Sequence, residues 1–203
     1  MFVKSGTLTR IVYPSLICKN KTNAKEIWLT FDDGPDPDIT NWILSILKSE
    51  KIKATFFLIG SQIKKFPDLV SKIEKNGHLI ANHSFSHFNG WNTNTKKYIA
   101  DIEKCQALMP NNKLFRPPYG KITSSQIKFL KNHYKLILWD ILSMDFNQHI
   151  TSKKIKKNVI NNIEEGSIIV FHNNSKSYEK LKPILKEIII ELKQKGYTFS
   201  TTW

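Results

Sequence analysis

Two adjacent carboxylates, Asp32 and Asp33, end an apolar run in which Ile27, Leu29 and Phe31 alternate with Trp28 and Thr30, and Gly34-Pro35 follows at once. The alternation reads as a strand and Gly-Pro stops it. Successive side chains of a strand point to opposite faces, so the two acids can share one solvent space only if the backbone turns between them. Held close, they repel unless a cation lies beside them, and a metal ion or an arginine would serve. Taken alone, Asp-Asp-Gly-Pro is an ordinary solvated turn. Residues further along supply its partners.

His83-Ser84-Phe85-Ser86-His87 places two imidazoles four residues apart, directly after an apolar run. On a helix or in a tight loop both reach one side. A carboxylate from another strand then completes three protein ligands with positions left open, the arrangement of a catalytic zinc site. Ser84 either hydrogen-bonds within that loop or is a plain loop serine. Positive charge in this chain comes almost entirely from lysine, the only arginines being Arg10 and Arg116. Arg116, followed by Pro117 and Pro118, therefore marks a place where a planar, two-pronged donor is wanted, with a carboxylate at the first strand end as its natural target. Ile168–His172 is a buried-type strand ending in histidine, and Trp139–Phe146 carries Asp140 and Asp145. A carboxylate beside His172 would favour its imidazolium form and let it act as a general acid near neutral pH. His78, His133 and His149 lack such context and read as ordinary residues. Trp91, just beyond His87, is either a sugar-stacking platform at a cleft edge or a loop anchor.

The elements that must position these groups alternate strand and helix. Strands are expected at 26–31, 53–59, 78–83, 113–116, 135–140, 167–172 and 198–202, and the clearest helices at 38–49, 95–108 and 178–195. Such alternation predicts a parallel sheet, open or closed into a barrel, with function gathered at the carboxyl ends of the strands. Asp32, Asp33, His83, Arg116, Asp140 and His172 all fall at such ends.

A length of 203 residues with 40% hydrophobic and 24% charged content suits one well-buried domain, read as 26–203 preceded by an extended segment, 1–25, that packs on it. No apolar run approaches the ~20 residues of a bilayer span, so no transmembrane segment is expected. Met1–Lys25 lacks the pattern of a secretory signal, which predicts a cytoplasmic location, or the cell envelope if export follows another route. The net charge of +14 is spread along the chain and reads as solvated surface, with no nucleic-acid partner. Cys18 and Cys105 read as reduced, structural thiols.

Together these residues resemble the NodB-homology polysaccharide deacetylases, carbohydrate esterase family 4, from residue 26 to the end and with five motifs in the family's order. The resemblance implies a distorted seven-stranded (β/α) barrel and removal of N-acetyl groups from a peptidoglycan- or chitin-like amino-sugar polymer. It implies Asp32 as catalytic base, and Asp33, His83 and His87 as ligands of a divalent metal, Zn²⁺ or else Co²⁺. Arg116 would orient Asp32, the Tyr119 backbone N–H would help hold the oxyanion, and His172 would be the general acid. The fourth motif departs from the family's Asp-x-x-Asp-Trp: Leu142 and Phe146 replace its first and last residues, leaving Asp145 to pair with His172. That departure leaves open a relative acting on another acetylated glycan or a small amide, or one that only binds carbohydrate.

Overall fold

The alternating run forms the longest strand, β2 (Glu26–Asp33), and its alternation decides what each face meets. The structure, a computed structural model, describes residues 3–4, 13–109 and 112–203. Ile27, Leu29 and Phe31 pack with Ile39, Ile43 and Ile189 from helices. Trp28, one residue out of phase, packs with Phe57, Ala81, Leu114, Ile137 and Ile168, all from other strands or their ends. The second group fills the inside of a curled sheet, and Thr30 and Asp32 share its side of β2.

The remaining strands are β1 (Leu16–Ile17), β3 (Thr55–Leu58), β4 (Leu79–Asn82), β5 (Leu114–Phe115), β6 (Lys135–Ile137), β7 (Ile141–Leu142), β8 (Ile168–His172) and β9 (Thr198–Phe199). They run β1-β6-β5-β4-β3-β2-β8-β7, with β9 against the start of β2, and every pairing among them is parallel. Residues 138–140 carry the chain from β6, near one edge, to β7 at the other. On the way Leu138 N–H donates to Ile17 O at 2.8 Å and Asp140 N–H to Ile168 O at 3.0 Å. An antiparallel bridge between Lys19 and Ser167 joins the same two edges. The sheet is thus a single-domain, distorted (β/α) barrel, as the alternation of elements and the family resemblance implied.

Helices α1 (Pro37–Ser49), α2 (Gly60–Lys65), α3 (Pro67–Lys75), α4 (Thr95–Gln106), α5 (Ser124–Leu130), α6 (Ser152–Ile160), α7 (Ser175–Leu181) and α8 (Leu185–Gln194) connect the strands. α1 starts where its sequence says it should: Asp36 caps the Asp38 and Ile39 N–H groups and Pro37 opens the first turn. Three expectations need correction. The helix expected at 178–195 is two, because Pro183 cannot donate the hydrogen bond that would continue it. The strand expected at 135–140 stops at Ile137, where the chain leaves one sheet edge to cross to the other. Of the segment 1–25, residues 1–2 and 5–12 lie outside the described residues; the described part supplies β1 and a bridge from Lys4 to Ile141.

Candidate active site

Asp32 is reached from below. Thr30 and Asp32 point into the barrel above the Trp28 layer, and Arg116, at the end of β5, lies fully buried between them. Its Nη1 donates to Asp32 Oδ1 at 2.6 Å and to Thr30 Oγ1 at 2.8 Å, while Nη2 donates to Leu138 O at 3.0 Å. The guanidinium stacks on Phe57, 4.0 Å from the ring centroid. The two-pronged contact expected from sequence is therefore corrected: one prong holds Asp32 and the other ties down the β6–β7 crossing. Asp32 Oδ2 is left facing the cleft, 3.9 Å from His83 Nε2.

The turn demanded by adjacent acids is present. Asp33 has φ 80°, which brings its carboxylate to the same space as that of Asp32. Ser84 (63°), His87 (57°), Tyr119 (60°) and Met144 (68°) share this unusual backbone, so five of the six non-glycine residues with positive φ among the described residues belong to the motifs. Each such residue costs roughly 1–3 kcal/mol and persists only where its surroundings over-determine it.

Asp33, His83 and His87 bring ligand atoms within 4.8 Å of one another. His83 Nδ1 lies 2.8 Å from Arg116 O, and a carbonyl only accepts, so Nδ1 carries the proton and Nε2 keeps its lone pair. Burial pushes the His83 imidazole down to about 4, against the opposing pull of Asp32 and Asp33, leaving it neutral near pH 7. Burial alone would raise the Asp33 carboxyl. The His87 hydrogen bond and the neighbouring His172 and His83 outweigh that and hold it well below the usual carboxylate range. A carboxylate oxygen and imidazole nitrogens on one spot are what a divalent ion such as Zn²⁺ takes.

Three residues that the sequence reading did not single out build this trio. Asn174 Nδ2 donates to Asp33 Oδ2 at 2.6 Å while its Oδ1 caps α7 through Ser177 N–H. Asn82 Oδ1 accepts from Ser84 N–H at 2.8 Å, and Ser84 Oγ accepts from His87 N–H at 3.0 Å, so Ser84 does bond within the loop. Asp101 of α4 accepts from Phe85 N–H at 3.0 Å and Ser86 N–H at 2.9 Å, clamping the loop between the two histidines. The signal for Asp101 was present: an acid on the buried face shared by Tyr98, Ile102 and Cys105.

Register brings His172 to the site, since β2 pairs Asp32 with His172 of β8. His172 Nδ1 lies 2.7 Å from Asp145 Oδ1, and Asp145 is itself held by Ser143 Oγ at 2.9 Å and Phe146 N–H at 3.1 Å. Burial would push His172 down, but the Asp145 carboxylate, helped by Asp33 and Asp32, raises it to about 9. Asp140, counted by sequence among the strand-end groups, is not there: it accepts from Ser167 Oγ at 2.6 Å, at the opposite end of β8 from His172. His78 accepts from Ala54 N–H at 3.3 Å and is a structural residue.

Asp32, Asp33, His83, His87 and His172 line a cleft of about 540 Å³. Tyr119 stands at its mouth with its ring against His87, centroids 4.6 Å apart. The hydrogen bonds of its tight turn come from Gly120 and Lys121 N–H, leaving Tyr119 N–H outside them. The family profile described as polysaccharide deacetylase matches residues 19–134. A peptidoglycan-N-acetylglucosamine deacetylase of Bacillus cereus is 36% identical over 186 residues, 88% of this chain and 67% of that one. The chain belongs to the polysaccharide deacetylase family. Among solved members, the Bc1960 peptidoglycan N-acetylglucosamine deacetylase superposes with TM-score 0.89 at 33% identity, over 95% of this chain and 94% of that one. BA3943 of Bacillus anthracis, a family pseudoenzyme, superposes with TM-score 0.80 at 25% identity, over 92% and 66%. Against the family's fourth motif, the Leu142 and Phe146 replacements both line the cleft, and the Phe146 ring stands edge-on to His172 at 5.0 Å.

Proposed function

We propose that this chain hydrolyses N-acetyl groups of a peptidoglycan-type amino-sugar polymer and acts where that polymer lies, at the cell envelope. The observation that carries the proposal is the placement of two proton carriers of opposite character, Asp32 and His172, side by side in register and beside the Asp33, His83 and His87 trio. Asp33, His83 and His87 would hold the metal, Zn²⁺ by the chemistry of its donors. The ion, when bound, supplies Lewis-acid polarisation of the acetyl carbonyl and activation of water.

The chain's own residues account for the rest. Asp32, pinned at Oδ1 by Arg116, presents Oδ2 as the general base that takes a proton from the attacking water as the new C–O bond forms. The Tyr119 N–H donates to the developing oxyanion. His172, protonated up to about 9 and steered by Asp145, gives its Nε2 proton to the nitrogen as the C–N bond breaks. The products are acetate and a free amine. Leu142 and Phe146 leave a second reading, a carbohydrate binder without turnover; BA3943, a pseudoenzyme, shows that the family includes members without activity.

Acetate release from N-acetylated peptidoglycan by purified protein, before and after chelation and after Zn²⁺ return, tests the proposal. Loss on chelation and recovery on metal return support it. Full activity of the metal-free protein refutes the metal role, and no acetate under any condition favours the binding-only reading.

A further inference from the structure

Trp91 and Tyr119 are the two most exposed large hydrophobic side chains among the described residues, at 63% and 53%. Lys121 links them: it lines the cleft two residues after Tyr119, and its Nζ lies 5.1 Å from the Trp91 ring centroid. Scattered exposed aromatics are common, but this one is held rigidly. Trp91 Nε1 donates to Ile122 O at 3.2 Å and its backbone N–H to Asn89 Oδ1 at 3.0 Å, while Gln126 Nε2 donates to Gly90 O at 2.9 Å. At Gly90 a Cβ would lie 2.4 Å from Lys121 O, so the Trp91 turn and the Lys121 loop interlock with no room for a side chain. A flat apolar face fixed in water loses little entropy when a ring stacks on it. Among the described residues no carboxylate pairs with Lys121, whose ammonium lies over the indole ring.

We propose that Trp91 and Lys121 form an extended subsite for the sugar next to the one being deacetylated. The indole face stacks on the pyranose ring and the ammonium takes a carboxylate carried by that ring. The preferred substrate is then an acidic amino-sugar polymer, whose alternate rings bear a lactyl carboxylate, over a neutral chitin-like one. This deepens the deacetylase proposal and rests on it for the position of the reacting sugar.

The test compares disaccharides and pentasaccharides, as neutral N-acetylglucosamine oligomers and as peptidoglycan glycans with the lactyl carboxylate free or methyl-esterified. Acetate release gives KM and kcat, and titration calorimetry gives affinity independently. Trp91→Ala raises KM for both pentasaccharides about tenfold, the equivalent of one stacking contact, with a smaller effect on disaccharides. Trp91→Phe recovers part of that loss. Lys121→Gln weakens the free-carboxylate glycan about threefold, the scale of an exposed ion pair, and spares the methyl ester. A Trp91→Ala protein with wild-type KM on pentasaccharides overturns the stacking role; equal loss on acid and ester overturns the carboxylate role. If the wild-type protein releases no acetate, the deacetylase reading fails, and the calorimetric affinities of the same variants still decide the subsite.

Discussion

Asp145 grips His172 twice: Oδ1 meets the ring Nδ1 at 2.7 Å and Oδ2 accepts the residue's own backbone N–H at 2.7 Å. The paired contacts fix the ring plane as well as its charge, so Nε2 faces the cleft and carries a proton near neutral pH.

The alkaline limb of the kcat/KM profile follows from that grip. Asp145→Asn removes the charge that opposes burial, so the His172 pKa falls from about 9 and the limb moves to lower pH by about one unit or more. A pH–rate profile of the two proteins checks it. An unmoved limb would assign that ionisation to another group.

Stability of the metal-free protein should peak near pH 6.5, because two histidines are shifted in opposite directions. His172 is raised from 6.5 to about 9, so its contribution is complete below pH 6.5 and is lost as pH climbs through 9. His83 is lowered from 6.5 to about 4, so its contribution is complete above pH 6.5 and is lost as pH falls through 4. Urea midpoints across this range test both signs, and His172→Gln should flatten the alkaline side alone.

Arg116 is a brace for the barrel interior as well as for Asp32. Arg116→Met leaves Asp32, 3% exposed, without its buried partner and should lower stability by about 3–5 kcal/mol. Arg116→Lys keeps a charge but cannot reach Asp32, Thr30 and Leu138 O together, so it should also melt lower, with kcat/KM down by about ten- to a thousandfold. Thermal melts with acetate assays measure both, and a Lys variant indistinguishable from wild type would reduce the role of Arg116 to charge alone.

Asp101 should act on metal affinity. Without its carboxylate Ser86 N–H loses its acceptor, Phe85 N–H keeps only the Asp101 backbone carbonyl at 3.2 Å, and the loop spacing His83 from His87 loosens. Asp101→Ala is expected to weaken Zn²⁺ binding by about 10–100-fold in competition with a chromophoric chelator, and Asp101→Asn, which keeps an acceptor oxygen, by less. Affinity unchanged in a folded Ala variant would show that the strained backbone at Ser84 and His87 holds the loop unaided.

The sequence by itself determined what depends on local period and local chemistry. Alternation placed β2 and a continuous apolar run placed β8, Gly34-Pro35 ended the first, and the spacing of His83 and His87 together with the lone described arginine, Arg116, pointed to residues that the fold brings together. Adjacent acids also demanded a backbone turn, which Asp33 makes at φ 80°. Tertiary structure alone decided which partner each group meets, because partners come from distant strands whose register and closure leave no local trace. Asp140 and Asp145 look alike in sequence, yet the β7–β8 pairing sends the first to the far end of β8 and the second to His172. Arg116 divides its donors between Asp32 and Leu138 O only because the chain crosses from one sheet edge to the other there. Asn174 and Asp101 reach the Asp33, His83 and His87 trio from the N-cap of α7 and from α4, across 141 and about 15 residues of sequence respectively, and only helices packed on a closed barrel bring them to Asp33 and the His83–His87 loop.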